Sequence, residues 1–168
     1  MKTQKPFNHL KGIIQGISSD GRIARGQYEE MKLWCQAHEG LSKESPFKEF
    51  FEEIKSVLGG GTMTSEEIDE MKTILKKYES QLSVSETMES KIQMLQGICY
   101  GILADEQINK YEIYVLKKWL EENTTVLGLS PFKEMHAILT DVMEDNQVDI
   151  KEEKELKKYF LEILKMEV

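Results

Sequence analysis

The sequence predicts an all-α protein: a tandem duplication of a four-helix unit, about eight helices in all, with the two units packed around a pseudo-twofold axis. Three observations predict it. Apolar residues recur at i, i+3, i+4 and i+7, and the alternation of a half-buried strand is absent. Sliding the chain along itself by 85 residues aligns 10–83 with 95–168 without a gap, the mark of an internal repeat with equal helix and loop lengths. A fainter repeat of 40 residues lies inside each copy, so each unit reads as two helix–turn–helix pairs.

The 85-residue register is dense. Leu10, Gly12, Ile13, Gly16, Ile17, Asp20 and Ile23 fall on Leu95, Gly97, Ile98, Gly101, Ile102, Asp105 and Ile108. Trp34 falls on Trp119, and "SPFKE" occurs at both 45–49 and 130–134. The expected units are 1–84 and 85–168, packed against each other because a bundle of about 75 residues buries little surface alone.

The elements follow in order. A first helix is expected over 6–19 and its copy over 88–104, each carrying two glycines at i, i+4. Interior glycines cost about 1 kcal/mol each relative to alanine. Gly12, Gly16, Gly97 and Gly101 therefore ask for a compensating close approach, either by another helix of the fold or by a partner helix lying in a flat groove. Second helices are expected over 25–39 and 110–123, bearing Trp34 and Trp119. Third helices over 46–58 and 131–143 begin at Ser-Pro, with Ser45 and Ser130 expected as N-caps before a proline at the first helical position. Fourth helices over 65–80 and 150–166 close the units; Leu156, Tyr159, Phe160, Ile163 and Leu164 give the last one a single apolar face.

The helix junctions hold the candidate chemistry. Thr64-x-x-Glu67, Asn109-x-x-Glu112 and Asp149-x-x-Glu152 are each an N-cap residue followed by an acid three positions on, the capping-box pattern or a close relative. Anchored on the apolar residues Met63, Ile108 and Val148, the same acids match the far half of a calcium-binding EF-hand loop. The near half fails at Leu58, Leu103 and Met143, where oxygen ligands are required. Caps are the favoured reading. A divalent cation remains the alternative, with Asp141, Asp145, Asp149 and Glu152 as one ligand set and Asp105 with Glu112 as another. The anchors Ile23, Met63, Ile108 and Val148 are expected to pair across the junctions and close the core from its end.

Composition narrows the rest. The net charge is −8, with 22 Lys and Arg against 30 Asp and Glu, which disfavours direct nucleic-acid or anionic-membrane binding. No apolar run approaches membrane-spanning length, and "MKTQKPFNHL" lacks the apolar run of a signal peptide. Cys35 and Cys99 have no metal-type partner nearby in sequence and read as buried thiols of a reducing, cytoplasmic compartment. His9, His38 and His136 share no motif, and "GGGT" at 59–62 lacks the Lys of a phosphate loop.

"LQGICYGILADEQINKYEIYVLKKWLEEN" followed by "SPFKEMHAILTDVMEDNQVDIKEEKELKKYF" resembles the TerB-like helical domains of bacteria, and the first copy resembles them at "SSDGRIARGQYEEMKLW". The resemblance implies an all-helical intracellular module linked to stress response or DNA processing. It also implies a divalent cation in some members, carried over here to Asp20, Asp105, Glu112, Asp145, Asp149 and Glu152. Glu106 stands where those domains have glycine.

The expected function is a non-enzymatic adaptor docking another protein, through a groove between the copies or the face bearing Trp34 and Trp119, with self-association into a homo-oligomer compatible with either. The alternative is an acidic inhibitor seated in the basic groove of a nucleic-acid-binding enzyme. A divalent-ion sensor is the third reading.

Overall fold

The computed structural model describes residues 3–17, 25–59, 63–82, 87–104 and 108–167. Among these there are nine α-helices and no strand. They are α1 (Gln4–Ile17), α2 (Arg25–Ala37), α3 (Phe47–Leu58), α4 (Ser65–Leu82), α5 (Met88–Leu103), α6 (Lys110–Glu122), α7 (Thr124–Leu127), α8 (Phe132–Asp145) and α9 (Ile150–Leu164). The eight long helices stand where the periodicity places them, within two residues at either end. The ninth, α7, is a single turn after α6, and a 3-10 turn at Glu39–Leu41 occupies the same place after α2. Neither has the length to show an apolar period, which is why the sequence pattern passes over both.

Two starts differ from expectation. Helices α3 and α8 begin at Phe47 and Phe132, with Pro46 and Pro131 in the cap position and no side-chain cap bond. The backbone N–H groups that Ser45 and Ser130 would cap, those of Lys48 and Lys133, already donate to Glu44 O at 2.8 Å and Leu129 O at 2.9 Å. Each hydroxyl turns instead to the carboxylate one turn ahead: Ser45 Oγ donates to Glu49 at 2.6 Å and Ser130 Oγ to Glu134 at 2.7 Å. Both glutamates are thereby held below the usual carboxylate range.

The buried apolar side chains form two clusters, one drawn from residues 7–82 and one from 92–163. The first is aromatic at its centre, where Phe7 packs on Phe50 at 5.2 Å and Trp34 meets Phe47, Phe50 and Phe51 at 6.1 Å each between ring centroids. The second is aliphatic, built on Leu95, Ile98, Leu116, Leu139 and Leu156 around Phe132 and Phe160. Ile108 is buried in the second cluster, Val148 packs against it, and Met63 packs against the first; Ile23 lies outside the described residues.

Helices α1 and α5 make the most extensive contact of any pair. Their glycines explain how. A Cβ at Gly12 would lie 2.8 Å from Gly97 Cα and inside contact distance of Met94 O; a Cβ at Gly97 would lie 2.9 Å from Gly12 Cα and press into His9 O. One turn on, a Cβ at Gly16 would sit 3.1 Å from Ile98 O, and one at Gly101 would sit 3.0 Å from Ile13 O. Backbone thus rests on backbone, the packing that only residues without Cβ permit. The close approach anticipated from the glycine spacing is made by the fold's own helices.

Alanine at these positions separates two effects. Helix propensity favours Gly→Ala by about 1 kcal/mol, whereas the contact forbids it at Gly12 and Gly97 and crowds it at Gly16 and Gly101. Gly12→Ala and Gly97→Ala should each destabilise by about 2–3 kcal/mol net, lowering the melting temperature by roughly 5–10 °C. Gly16→Ala and Gly101→Ala should lose less than half as much. Thermal melts of the four variants, followed by circular dichroism, measure this.

Candidate binding groove

Because α1 and α5 touch along their glycines, polar side chains flanking that line reach across it. Asn8 Nδ2 donates to Gln93 Oε1 at 2.9 Å, and His9 Nε2 lies 2.8 Å from Gln96 Oε1. Gln96 also donates through Nε2 to Ile163 O and Met166 O, both at 2.9 Å, tying α5 to the end of α9. Asn8 and Gln93 correspond under the 85-residue offset. Amides at such positions satisfy one another without leaving a buried group unpaired.

Beside this contact lies a cleft of about 620 Å³. Asn8, Lys11 and Gln15 of α1 form one wall, Ser90, Lys91 and Met94 of α5 the other, and Trp119, Glu122, Asn123 and Glu79 close it. Next to it, a second cleft of about 360 Å³ runs between α1 and α4 over Ile14 and Leu75. The two clefts share Lys11, Gln15 and Glu79, and the Lys11–Glu79 ion pair bridges α1 and α4 at their junction.

On the opposite side of α1 and α5, a smaller cavity of about 180 Å³ is lined by His9, Glu30, Leu33, Trp34, His38 and Tyr100. Trp34 stands here where Trp119 stands in the large cleft. Burial lowers the pKa of His9, which Gln96 partly restores and Lys5 lowers further. Burial and the charge of His9 lower that of His38. Burial raises Glu30, and together with the Glu30 charge it raises Tyr100.

The tryptophans do not form an exposed face. Trp34 and Trp119 are each 5% exposed, and Trp34 Nε1 donates to Pro6 O at 2.8 Å. Each indole is core on one side and cleft wall on the other. Gly12, Gly16, Gly97 and Gly101 are covered by the α1–α5 contact and offer no groove to a second molecule.

Three acidic junctions form capping boxes. Asn109 N–H donates to Glu112 Oε1 at 3.0 Å and Glu112 N–H to Asn109 Oδ1 at 2.9 Å. The same reciprocal pair joins Asp149 and Glu152 at 3.2 and 2.7 Å, and Thr64 and Glu67 at 3.1 and 3.2 Å. A fourth box, Thr87 with Ser90, begins α5; its serine at the third position departs from the acid that marks the pattern in sequence. Asp141 and Asp145 are exposed on α8, and Asn146 ends that helix with φ 58°, a left-handed conformation that asparagine tolerates. At Glu152 the bond from the Asp149 N–H lowers the pKa, but desolvation and the charges of Asp149 and Asp145 outweigh it and the net shift is upward. Among the described residues no group of three or more His, Cys, Asp or Glu could hold a metal ion, and Asp20 and Asp105 lie outside those residues. Cys35 and Cys99 are buried; desolvation pushes the Cys35 thiol up to about 11 and raises that of Cys99 as well.

The groove residues Lys11, Lys72, Lys76, Glu79 and Lys91 are not among those the sequence singles out. Their signal is weak but present: Lys11, Ile14 and Gln15 share a face of α1, as do Lys72, Leu75, Lys76 and Glu79 on α4. No family model, no curated protein and no solved structure matches the chain.

Two outcomes follow. Asparagine caps a helix as well as aspartate, so Asp149→Asn should melt within about 0.5 kcal/mol of the parent while Asp149→Ala loses about 1 kcal/mol; a cation ligand would be damaged by both, and melts with calcium or EDTA present tell the cases apart. The histidines give a pH dependence of definite sign. Their folded pKa values lie below the ordinary 6.5, so the unfolded chain binds more protons and stability falls as pH drops through 6.5. Glu30 and Glu152, raised from 4.5, act oppositely, while Glu49, Glu121 and Glu134, lowered from 4.5, act in the same direction as the histidines at lower pH. The melting temperature should fall between about pH 7.5 and 5.5, and His9→Gln should flatten the slope.

Proposed function

We propose that this chain is a non-enzymatic protein-binding module: two copies of a TerB-like four-helix unit, 1–84 and 85–168, packed about a pseudo-twofold axis and docking another protein in the cleft beside that axis. The reciprocity of the α1–α5 contact supports the symmetry. Gly12 meets Met94 as Gly97 meets His9, Gly16 meets Ile98 as Gly101 meets Ile13, and each pair is its fellow displaced by 85 residues.

The observation that carries the binding role is the furrow made by the two adjoining clefts, about 620 and 360 Å³, continuous through Lys11, Gln15 and Glu79. The larger part is lined by lysines, carboxylates and amides with one indole edge. Small-molecule pockets are predominantly apolar with few polar groups, so this lining suits a polypeptide with many hydrogen-bonding groups. A link to stress response or DNA processing rests on the TerB-like resemblance.

One observation favours the second reading, an acidic inhibitor of a nucleic-acid-binding enzyme. An open depression of about 640 Å³ between α3 and α4 carries Glu53, Glu66, Asp69 and Glu70, on a chain of net charge −8.

Affinity capture from cell extract, read by mass spectrometry, decides between them. The captured protein should drop at least about tenfold with Lys91→Glu/Glu122→Lys and persist with Glu66→Lys/Glu70→Lys. The reverse pattern establishes the inhibitor reading. Indifference to both pairs removes both.

A further inference from the structure

We propose that the furrow between α1 and α4 receives an acidic amphipathic helix of a protein partner, its apolar residues lying over Ile14 and Leu75 and its carboxylates meeting Lys72 and Lys76. This deepens the protein-binding reading and rests on it.

The furrow is charged against the trend of the molecule. Its floor is Ile14 and Leu75, and its rim is Lys11, Lys72 and Lys76 with Glu79 as the one acid. Lys11 is spent on Glu79. Lys72 and Lys76 are exposed and have no ion-pair partner among the described residues, so the rim carries two ammonium groups one turn apart on α4. Ammonium groups on aliphatic stems above an apolar floor fit a ligand that is apolar along one line and anionic beside it. Helices laid in such furrows are read by anchors at i, i+3, i+4 and i+7.

The second unit supplies an internal contrast. Leu75 and Lys72 correspond to Phe160 and Lys157, but Lys11, Lys76 and Glu79 correspond to Gln96, Leu161 and Leu164. The basic rim thus belongs to the first unit alone, while the core positions beneath it stay apolar in both. A helix docked there is held by opposite charge at a surface exposed to salt, so the bond is specific in sign and moderate in strength.

The probe is a fluorescein-labelled peptide of about four helical turns, with leucine at i, i+3, i+4 and i+7 and glutamate on the flanking positions. Its control carries lysine in place of glutamate. Fluorescence anisotropy should show the glutamate peptide binding the full chain with a Kd on the order of 10–100 µM at low salt, and the lysine peptide at least about tenfold more weakly. Lys72→Glu/Lys76→Glu, both exposed and folding checked by circular dichroism, should weaken the glutamate peptide at least about tenfold; Lys76→Leu, the second unit's residue, should weaken it less. Equal binding of the two peptides, no binding of either, or full binding by the double variant overturns the proposal. If the peptides fail while capture of a cellular protein still depends on Lys91 and Glu122, only this furrow is refuted; if capture is also indifferent, the module reading falls with it.

Discussion

The backbone contact between α1 and α5 at Gly12 and Gly97 is the constraint on which the rest depends. Two helices whose Cα atoms approach this closely leave no room for side chains between them. What would otherwise be an apolar seam becomes a line of glycine, and the residues on either side must be long enough to reach around the contact. Asn8, Gln93, His9 and Gln96 do so and pair with one another. The glycines cost helix stability locally; dispersion and burial along the contact offset that cost, because backbone rests on backbone at Gly12, Gly16, Gly97 and Gly101.

The clefts are a consequence of the same approach. When the central helices draw together, the helices flanking them are held apart by their own cores, and furrows open beside the contact. On one side stand Trp119, Lys91 and the Lys11–Glu79 bridge; on the other stand Trp34, His9 and His38. Equivalent places therefore carry different chemistry, one rich in lysines and amides, the other aromatic with two histidines and Glu30. The glycine line is the same in both halves, whereas the cores diverge as the cleft walls do: Phe7, Phe50 and Tyr78 of the first stand where Ile92, Met135 and Ile163 stand in the second.

Electrostatics follow the same division between locally satisfied and available charge. The junction acids accept hydrogen bonds from the N-cap backbone N–H groups before α4, α6 and α9, and Glu49 and Glu134 accept hydrogen bonds from serine hydroxyls. A carboxylate used in this way secures a helix start. In the α3–α4 depression Glu53 pairs with Lys77, while Glu66, Asp69 and Glu70 give α4 an acidic face on one side and Lys72 and Lys76 a basic face on the other.

By itself the sequence determined what depends on neighbours a few residues apart: the existence and extent of eight helices, the three acid-bearing capping boxes, and the offset that brings one half of the chain onto the other. Apolar periodicity and cap chemistry act within about one helical turn, so a linear reading contains them. It also showed that four glycines required a close approach, because their cost is local. Tertiary structure alone decided which surfaces met. That Gly12 faces Gly97, that both indoles turn inward, and that Lys11 and Ile14 lie beside Lys72 and Leu75 are facts about residues tens of positions apart. Such pairings are chosen by shape and burial across the whole molecule, for which no spacing along the chain is a substitute.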